Sequence, residues 1–448
     1  MARTTQKTVG SRDTIHALST APFRSAVAVV RVSGPATRRV VDALAGPLPA
    51  PRRAVLRRIV DPVDAALIDE GLVLWMPGPA SFTGEDMAEF HVHGGMAVVA
   101  RLLSAVGSVP TCRSAEAGEF ARRAFEHGRL DLSRLEGIAD LVDAHTEAQR
   151  RMALRLADGA VAREADAIRA GVLEAMVLVE ADLDFADEGD VTHETISGVV
   201  ERCSALLARL EAALQGATGA ARLRDGLTVA ITGPPNVGKS TLINALSRRE
   251  VAIVSPLPGT TRDSLEAWID LDGLPVCLID TAGLRDSDDP IEREGIRRAR
   301  ARAEAADAIL VLSDGDHKAE AFGEEVRAIR VRTKCDLGLP SGGDDTTPVL
   351  LISARSGYGL DALRQALAAK LRDGLAGGET ALLSQERHRL AFQRSAESLR
   401  LTISDRTRPL EVIAEDLRVV ATAMGRVTGR IDVEDILGDI FSRFCIGK

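Results

Sequence analysis

Eight consecutive residues, Gly233-Pro234-Pro235-Asn236-Val237-Gly238-Lys239-Ser240, carry the spacing G-x-x-x-x-G-K-S. Glycines at both ends let backbone N–H groups turn inward around phosphate oxygens. Lys239 then reaches the β- and γ-phosphates, and the Ser240 hydroxyl ligates Mg²⁺. An apolar run over residues 228–232 precedes the loop and a helix-like stretch begins at Thr241, so the phosphates face a helix N-terminus. Asp280-Thr281-Ala282-Gly283 ends the next long apolar run, where the acid holds Mg²⁺ through water and Gly283 meets the γ-phosphate. Thr333-Lys334-Cys335-Asp336 closes another. A carboxylate at 336 accepts from both guanine N–H groups, for which adenine has no counterpart. Ser353-Ala354-Arg355 supplies the remaining loop against the base edge. The ordered set predicts a GTP site. Thr333 stands where G proteins usually carry Asn, a departure expected to loosen the loop while leaving the carboxylate in place.

Hydrolysis needs a further device, because Leu284 occupies the position at which Ras-like proteins orient water with Gln. Arg285 follows it as a catalytic candidate. Residues 254–263 form an expected first switch in which Thr261 completes the Mg²⁺ shell. Asn236, with the carbonyls and hydroxyls of Ser255-Pro256-Leu257-Pro258-Gly259-Thr260, can enclose K⁺; the metal set is Asn236, Ser255, Leu257 and Thr260. Such an ion neutralises the charge that an arginine finger otherwise meets. A plain turn-forming role for Asn236 is the alternative.

These loops need a rigid frame. Strand candidates at 228–232, 276–280, 308–312, 329–332 and 349–353 alternate with helical segments, which predicts a parallel sheet covered on both faces, a Ras-like P-loop G domain over 225–373. Residues 130–224 and 382–444 have Ala- and Leu-rich helical spacing, broken near 187–190, and Gly374–Gly378 is an expected flexible break. The G domain therefore reads as an insertion into a helical domain formed by 130–224 and 374–448. Residues 1–129 mix short strands, such as 27–32 and 72–75, with turns, and predict a small α+β domain. The fold class is thus α/β and α+β multidomain.

At 448 residues the chain exceeds one ordinary core. A net charge of −9 excludes a protein coated in positive charge for sequence-independent nucleic-acid binding, so any RNA contact must be local. Five scattered cysteines fit a reducing compartment, and neither a signal peptide nor an apolar run long enough to span a membrane is visible. Cys445 sits four places from the end, yet Gly447 and Lys448 suit a prenylation box poorly. The expectation is a cytoplasmic protein without a membrane partner.

Beyond the G-domain motifs the chain carries Asp13-Thr14-Ile15, Val30-Arg31-Val32-Ser33-Gly34, Ser81-Phe82-Thr83-Gly84-Glu85-Asp86, His93-Gly94-Gly95, Gly118-Glu119-Phe120, Arg129-Leu130-Asp131-Leu132 and the terminal Phe444-Cys445-Ile446-Gly447-Lys448. Together these resemble the MnmE (TrmE) family of tRNA modification GTPases along nearly the whole chain. The resemblance implies a homodimer that joins an FAD-containing subunit in a heterotetramer. That assembly adds an aminomethyl or carboxymethylaminomethyl group to C5 of the wobble uridine of certain tRNAs. The one-carbon unit comes from a reduced folate, 5,10-methylene-tetrahydrofolate, with 5-formyl-tetrahydrofolate as an analogue. It further implies folate contacts at Arg31, Glu89, Arg129 and Lys448, the first residue domain as the folate-binding and dimerisation domain, a chemical role for Cys445, and a water-activating role for Glu292. Arg129 stands where many members have Lys, and Phe23 interrupts the turn expected before Arg24. A regulatory G protein whose N-terminal part only binds partners shares the same G domain; reduced-folate binding separates the two readings. A small-molecule kinase is disfavoured by Asp336 and by the Asp280–Gly283 motif.

Overall fold

The computed structural model describes residues 13–184, 192–249, 266–280, 304–314, 327–338, 349–375, 377–405 and 408–431, with 437, 440, 441, 444 and 447 of the tail. Two compact units emerge, one of Met1–Ala139 with Thr428–Lys448, the other of Asp140–Val427. The stretch from 428 onward, read from the sequence as the end of the helical domain, clusters with the N-terminal unit.

The first unit is built on six strands, β1 (Thr14–Leu18), β2 (Ser25–Ser33), β3 (Val55–Val60), β4 (Leu67–Met76), β5 (Met87–Gly94) and β6 (Cys112–Ser114), in the order β3-β4-β5-β2-β1-β6. Strands β1 and β6 run parallel and the other neighbours antiparallel. Period-two alternation turns Ala28, Val30, Val32, Val73, Trp75, Ala88, Phe90 and Val92 into a core against helices α1 (Thr37–Ala45) and α2 (Met96–Gly107). The same alternation sends Arg31 and its register partner Glu89 to the opposite face. Helices α3 (Glu119–Glu126) and α4 (Leu132–Asp143) follow, and Ala121, Leu132 and Leu135 share a small core with Ile440, Phe441 and Phe444 of the tail.

Among the described residues the second unit has three apolar clusters, the smallest formed by Ala230, Cys277, Ile279, Ala306 and Ile309. Helices α5 (Glu147–Ala157), α6 (Ala160–Asp184), α7 (Thr192–Leu214) and α8 (Ala217–Asp225) lead to the strand β7 (Leu227–Thr232), after which α9 is Lys239–Arg249. Then come β8 (Glu266–Leu271), β9 (Leu274–Asp280), β10 (Ala308–Ser313), β11 (Ala328–Arg332), β12 (Leu350–Leu351), α10 (Leu360–Asp373), α11 (Glu386–Ser404) and α12 (Leu410–Thr428). The sheet order is β12-β11-β10-β7-β9-β8, parallel except at the β8–β9 hairpin. All seven residues of β9 are buried, as a strand covered on both faces requires.

Helices from both sides of this sheet in sequence, α6 and α7 with α11 and α12, fill one apolar core, while the sheet packs with α9 and α10 in another. The G domain is therefore an insertion into a helical bundle. Two expectations change. The Gly374–Gly378 break is a packed turn in its described part: Leu375 is buried, and a Cβ on Gly219 would lie 1.8 Å from the Leu375 carbonyl oxygen. Strand β8, unread from the sequence, is paired through Asp272-Gly273, both with positive φ as a tight hairpin turn demands. The helical break expected near 187–190 lies outside the described residues.

Candidate functional site

The phosphate loop leaves the C-terminal end of β7, which lies between β10 and β9. Gly233 has φ +150, and a Cβ there would sit 2.6 Å from the carbonyl oxygen of Leu312 on β10, so only glycine permits the exit from the sheet. Asn236 is left-handed at φ 61 and exposed at the tip, and Gly238 is at φ +105. Val237 is buried beneath the loop in the sheet core, and Thr241 stands in the first turn of α9. The Lys239 ammonium is held across the loop by the carbonyls of Gly233 at 2.6 Å and Pro234 at 2.9 Å. A chain that wraps its own lysine in this way presents that cation where phosphate oxygens gather.

Ser240 Oγ donates to Asp280 Oδ2 at 3.0 Å, which joins the start of α9 to the end of β9. Two hard oxygen donors at that separation fit Mg²⁺, which takes few protein ligands and completes its shell with water and phosphate. Among the described residues no cluster of three His, Cys, Asp or Glu is placed to hold a metal.

The base loop is tied to the phosphate loop by the residue expected to loosen it. Thr333 is buried, and its hydroxyl donates to the carbonyl of Val237 at 2.6 Å, with Ser313 O at 3.3 Å. Threonine thus fastens the two loops with its one O–H. Lys334 follows with φ 58 and its ammonium 3.6 Å from Asp314 Oδ2, and the turn Cys335–Leu337 leaves Asp336 exposed. The Cys335 N–H donates to Ile352 O at 3.2 Å, which brings the Ser353–Arg355 loop alongside. The buried Ser353 hydroxyl accepts from the Ser356 N–H at 3.2 Å and rounds that loop. Between it and α9 lies a cavity of about 580 Å³ lined by Thr241, Asn244, Ala245, Ala354, Arg355, Ser356, Gly357 and Leu360.

A second cluster forms on the other face of the first unit's sheet, where Ile15 and Ala17 pack with Phe120 and Phe82. Arg31 donates through Nε and Nη2 to Glu89 Oε1 at 3.0 and 2.9 Å, and through Nη1 to the carbonyl of Gly447 at 3.3 Å. The Ser19 hydroxyl donates to the same carbonyl at 3.1 Å. Gly447 has φ +101, and a Cβ there would meet the Leu18 carbonyl oxygen at 2.3 Å, so this position of the tail admits glycine alone. The Arg31 guanidinium also lies 5.8 Å from the ring centroids of both Phe82 and Phe120, within cation–π range. The other Glu89 oxygen faces His91 Nε2 at 3.2 Å. Arg129 stands apart from this ion pair: its Nε donates to the Ser81 carbonyl at 3.2 Å, beside Phe82. Phe23 is exposed.

A buried ionic brace that the sequence reading missed holds the 81–86 loop. Arg123 on α3 donates to Glu85 at 3.0 Å, to Glu119 at 3.0 Å and to the Asp13 carbonyl at 3.0 Å, and Arg113 donates to Glu119 at 2.6 Å. Ser33 completes it by donating to Glu85 at 2.8 Å. Burial by itself pushes the Glu119 carboxyl up, but hydrogen bonds from Arg113, the Glu116 N–H and Arg123 outweigh it and bring the group down to about 2. The available signal was the four-residue spacing of Glu119 and Arg123 on one helix.

Ser255, Pro256, Leu257, Pro258, Gly259, Thr260, Thr261, Thr281, Ala282, Gly283, Arg285, Glu292, Cys445 and Lys448 lie outside the described residues. Of the expected K⁺ ligands only Asn236 is described.

Residues 14–129 match the family described as GTP-binding protein TrmE N-terminus, and residues 132–445 match the MnmE helical domain. A tRNA modification GTPase MnmE of Rhodopseudomonas palustris (strain BisB5) is 49% identical over 459 residues, covering 98% of this chain and 99% of its own. One from Methylorubrum populi is 51% identical over 442 residues, covering 97% and 98%. Among solved structures, the FeoB G-domain of Methanococcus jannaschii aligns at 23% identity and a TM-score of 0.24, covering 33% of this chain and 98% of that one.

Proposed function

We propose, for a chain that belongs to the MnmE family of tRNA modification GTPases, that GTP hydrolysis times a folate-linked modification at C5 of the wobble uridine of certain tRNAs. The coarse activity follows from the family: the chain is a GTP-hydrolysing enzyme and takes part in tRNA modification. In the finer reading, Lys239 and the loop amides bind the β- and γ-phosphates, Ser240 and Asp280 hold Mg²⁺, and Asp336 selects guanine. Bound Mg²⁺ neutralises charge that develops on the leaving phosphate. Asn236 and the 255–260 segment would hold K⁺, which would supply the positive charge an arginine finger otherwise brings, and Glu292 activates water. Two facing G domains of a homodimer close during the cycle, and an FAD-containing subunit carries the redox chemistry in the cytoplasm.

The observation that supports the folate part is the meeting of Arg31, Glu89 and the Gly447 carbonyl on one sheet face. A carboxylate there can accept from pterin N–H groups, and cations at Arg31 and Lys448 suit a glutamate tail. Bound folate supplies the one-carbon unit; the chain's residues orient it. Calorimetry of the full chain with 5-formyl-tetrahydrofolate tests this. Binding to the wild type and at least a tenfold loss in Arg31→Ala are expected; no binding, or equal binding by both, overturns the folate reading. For the timer, Glu292→Ala is expected to bind GTP and to hydrolyse it at least a hundredfold more slowly in single-turnover assays, with unchanged turnover removing that residue.

A further inference from the structure

Residues 36–60 contain six arginines, Arg38, Arg39, Arg52, Arg53, Arg57 and Arg58, against the single acid Asp42, in a chain whose net charge is −9. The fold gathers most of them. Strand β3 is the outer edge of the sheet, and α1 packs beside it. The Arg52 N–H donates to the Trp75 carbonyl at 2.8 Å, and the Arg38 guanidinium lies 5.2 Å from the Trp75 ring centroid, so Trp75 ties the start of α1 to the turn before β3. Arg57 donates to the Pro47 carbonyl at 3.4 Å, just past the end of α1. Arg52, Arg53 and Arg58 are exposed.

Most of this charge has no bonded carboxylate. Elsewhere in this unit Arg101 is paired with Asp61 and Asp64, and Arg113 and Arg123 with Glu119. Among the described residues Arg52, Arg53, Arg57 and Arg58 have no carboxylate partner in the structure, and where Arg52 and Arg57 bond it is to main-chain carbonyls. The acids nearby are Asp86, already engaged 3.4 Å from Arg38, Asp42 on α1, and Glu70, the register partner of Arg58. Charges on an edge strand discourage edge-to-edge pairing. Strand β3 itself supplies Arg57 and Arg58; Arg52 and Arg53 just before it bring the count to four, a density that costs self-repulsion and suits a polyanion.

We propose that the β3 edge and the start of α1 form a docking surface for the sugar–phosphate backbone of structured RNA, and, resting on the reading above, that the RNA is the substrate tRNA. Guanidinium groups on β3 and on the turn before it can each take a phosphate, with counterion release supplying the affinity. No base contact is required, so the surface orients the RNA without reading its sequence.

The test uses the full chain, a fluorescent unmodified tRNA transcript and anisotropy titrations between about 50 and 200 mM salt. The triple variant R52A/R53A/R58A is expected to weaken binding at least tenfold at low salt and to lower the log–log salt slope by about two to three. GTP turnover and the thermal midpoint remain those of the wild type. A control, R150A/R151A/R418A, removes arginines that are already carboxylate-paired and is expected to bind as the wild type does. Equal weakening in both triples, or none in the first, overturns the surface while leaving the tRNA reading intact. A wild type that binds no tRNA overturns both. Should the first triple lose binding to the FAD-containing subunit and keep tRNA affinity, the surface belongs to a protein partner and the proposal fails.

Discussion

The two sites are built by different means. The nucleotide loop is a local device: residues 233–240 supply its main chain, and glycine at 233 and 238 sets its path. The Arg31 cluster is the reverse, since its members are 58 and 416 positions apart: strand register sets Arg31 beside Glu89, and the tail brings the Gly447 carbonyl to them. A site made of main chain is carried by a short motif, whereas a site made of register exists only when the whole unit has folded.

Changes to the nucleotide site can sharpen that contrast. Asp336→Ala removes a charged acceptor for two guanine N–H groups and is expected to cost about 3–6 kcal/mol, a loss of roughly a hundredfold to ten-thousandfold in GTP affinity by equilibrium titration. ATP affinity stays unchanged. Lys239→Ala is expected to reduce steady-state GTP turnover by about a hundredfold to a thousandfold. If the two units act as separately built sites, 5-formyl-tetrahydrofolate binding is preserved in both variants; its loss breaks the contrast.

A smaller effect belongs to the first unit. The Glu119 carboxyl titrates at about 2 in the folded chain against 4.5 for its ordinary value. A depressed carboxyl contributes stability above its unfolded pKa and loses it as pH falls through the folded one. Wild-type stability should therefore drop by about 2–3 kcal/mol between pH 4.5 and about 2, followed as the thermal midpoint of the first unit. Glu119→Gln should flatten that limb and lower the midpoint at neutral pH while GTP binding persists. An unchanged acid limb would remove the brace from the account. The smallest effect is expected from Thr333→Val, which leaves the Val237 carbonyl without its donor and should weaken GTP binding by about 1–2 kcal/mol, with Thr333→Ser restoring most of it.

What was legible in the sequence follows the same division. The phosphate loop, the β9 acid and the base loop could be read because each follows an apolar run and requires specific residue types at fixed offsets. The insertion of the sheet between two helical stretches was equally plain, since its strand candidates match β7, β9, β10, β11 and β12 within a few residues. Strand β8 escaped although Asp272-Gly273 announced its hairpin, and β6, three residues long, is too short for any periodic signal. Thr333 was misjudged because residue type shows a missing amide and not the carbonyl waiting 2.6 Å away. Of the Glu85–Arg123–Glu119 brace only the four-residue spacing of Glu119 and Arg123 could be read, because Glu85 comes from a loop distant in sequence and Arg113 from strand β6. Arg31 and Glu89 were named, with Arg129 and Lys448, through family resemblance; the Gly447 carbonyl was not, and no local pattern joins residue 31 to residue 447.

The 416-position span between Arg31 and Gly447 has a consequence for biosynthesis. At ribosomal speeds of roughly 5–20 residues per second, about 20–80 s separates the appearance of one partner from the other. Throughout that interval β2 has emerged while the glycine that caps its arginine is still unmade, and the intervening helices and sheet have time to form first. The nascent chain thus gains the means to grip a nucleotide before it closes the cluster at its own beginning.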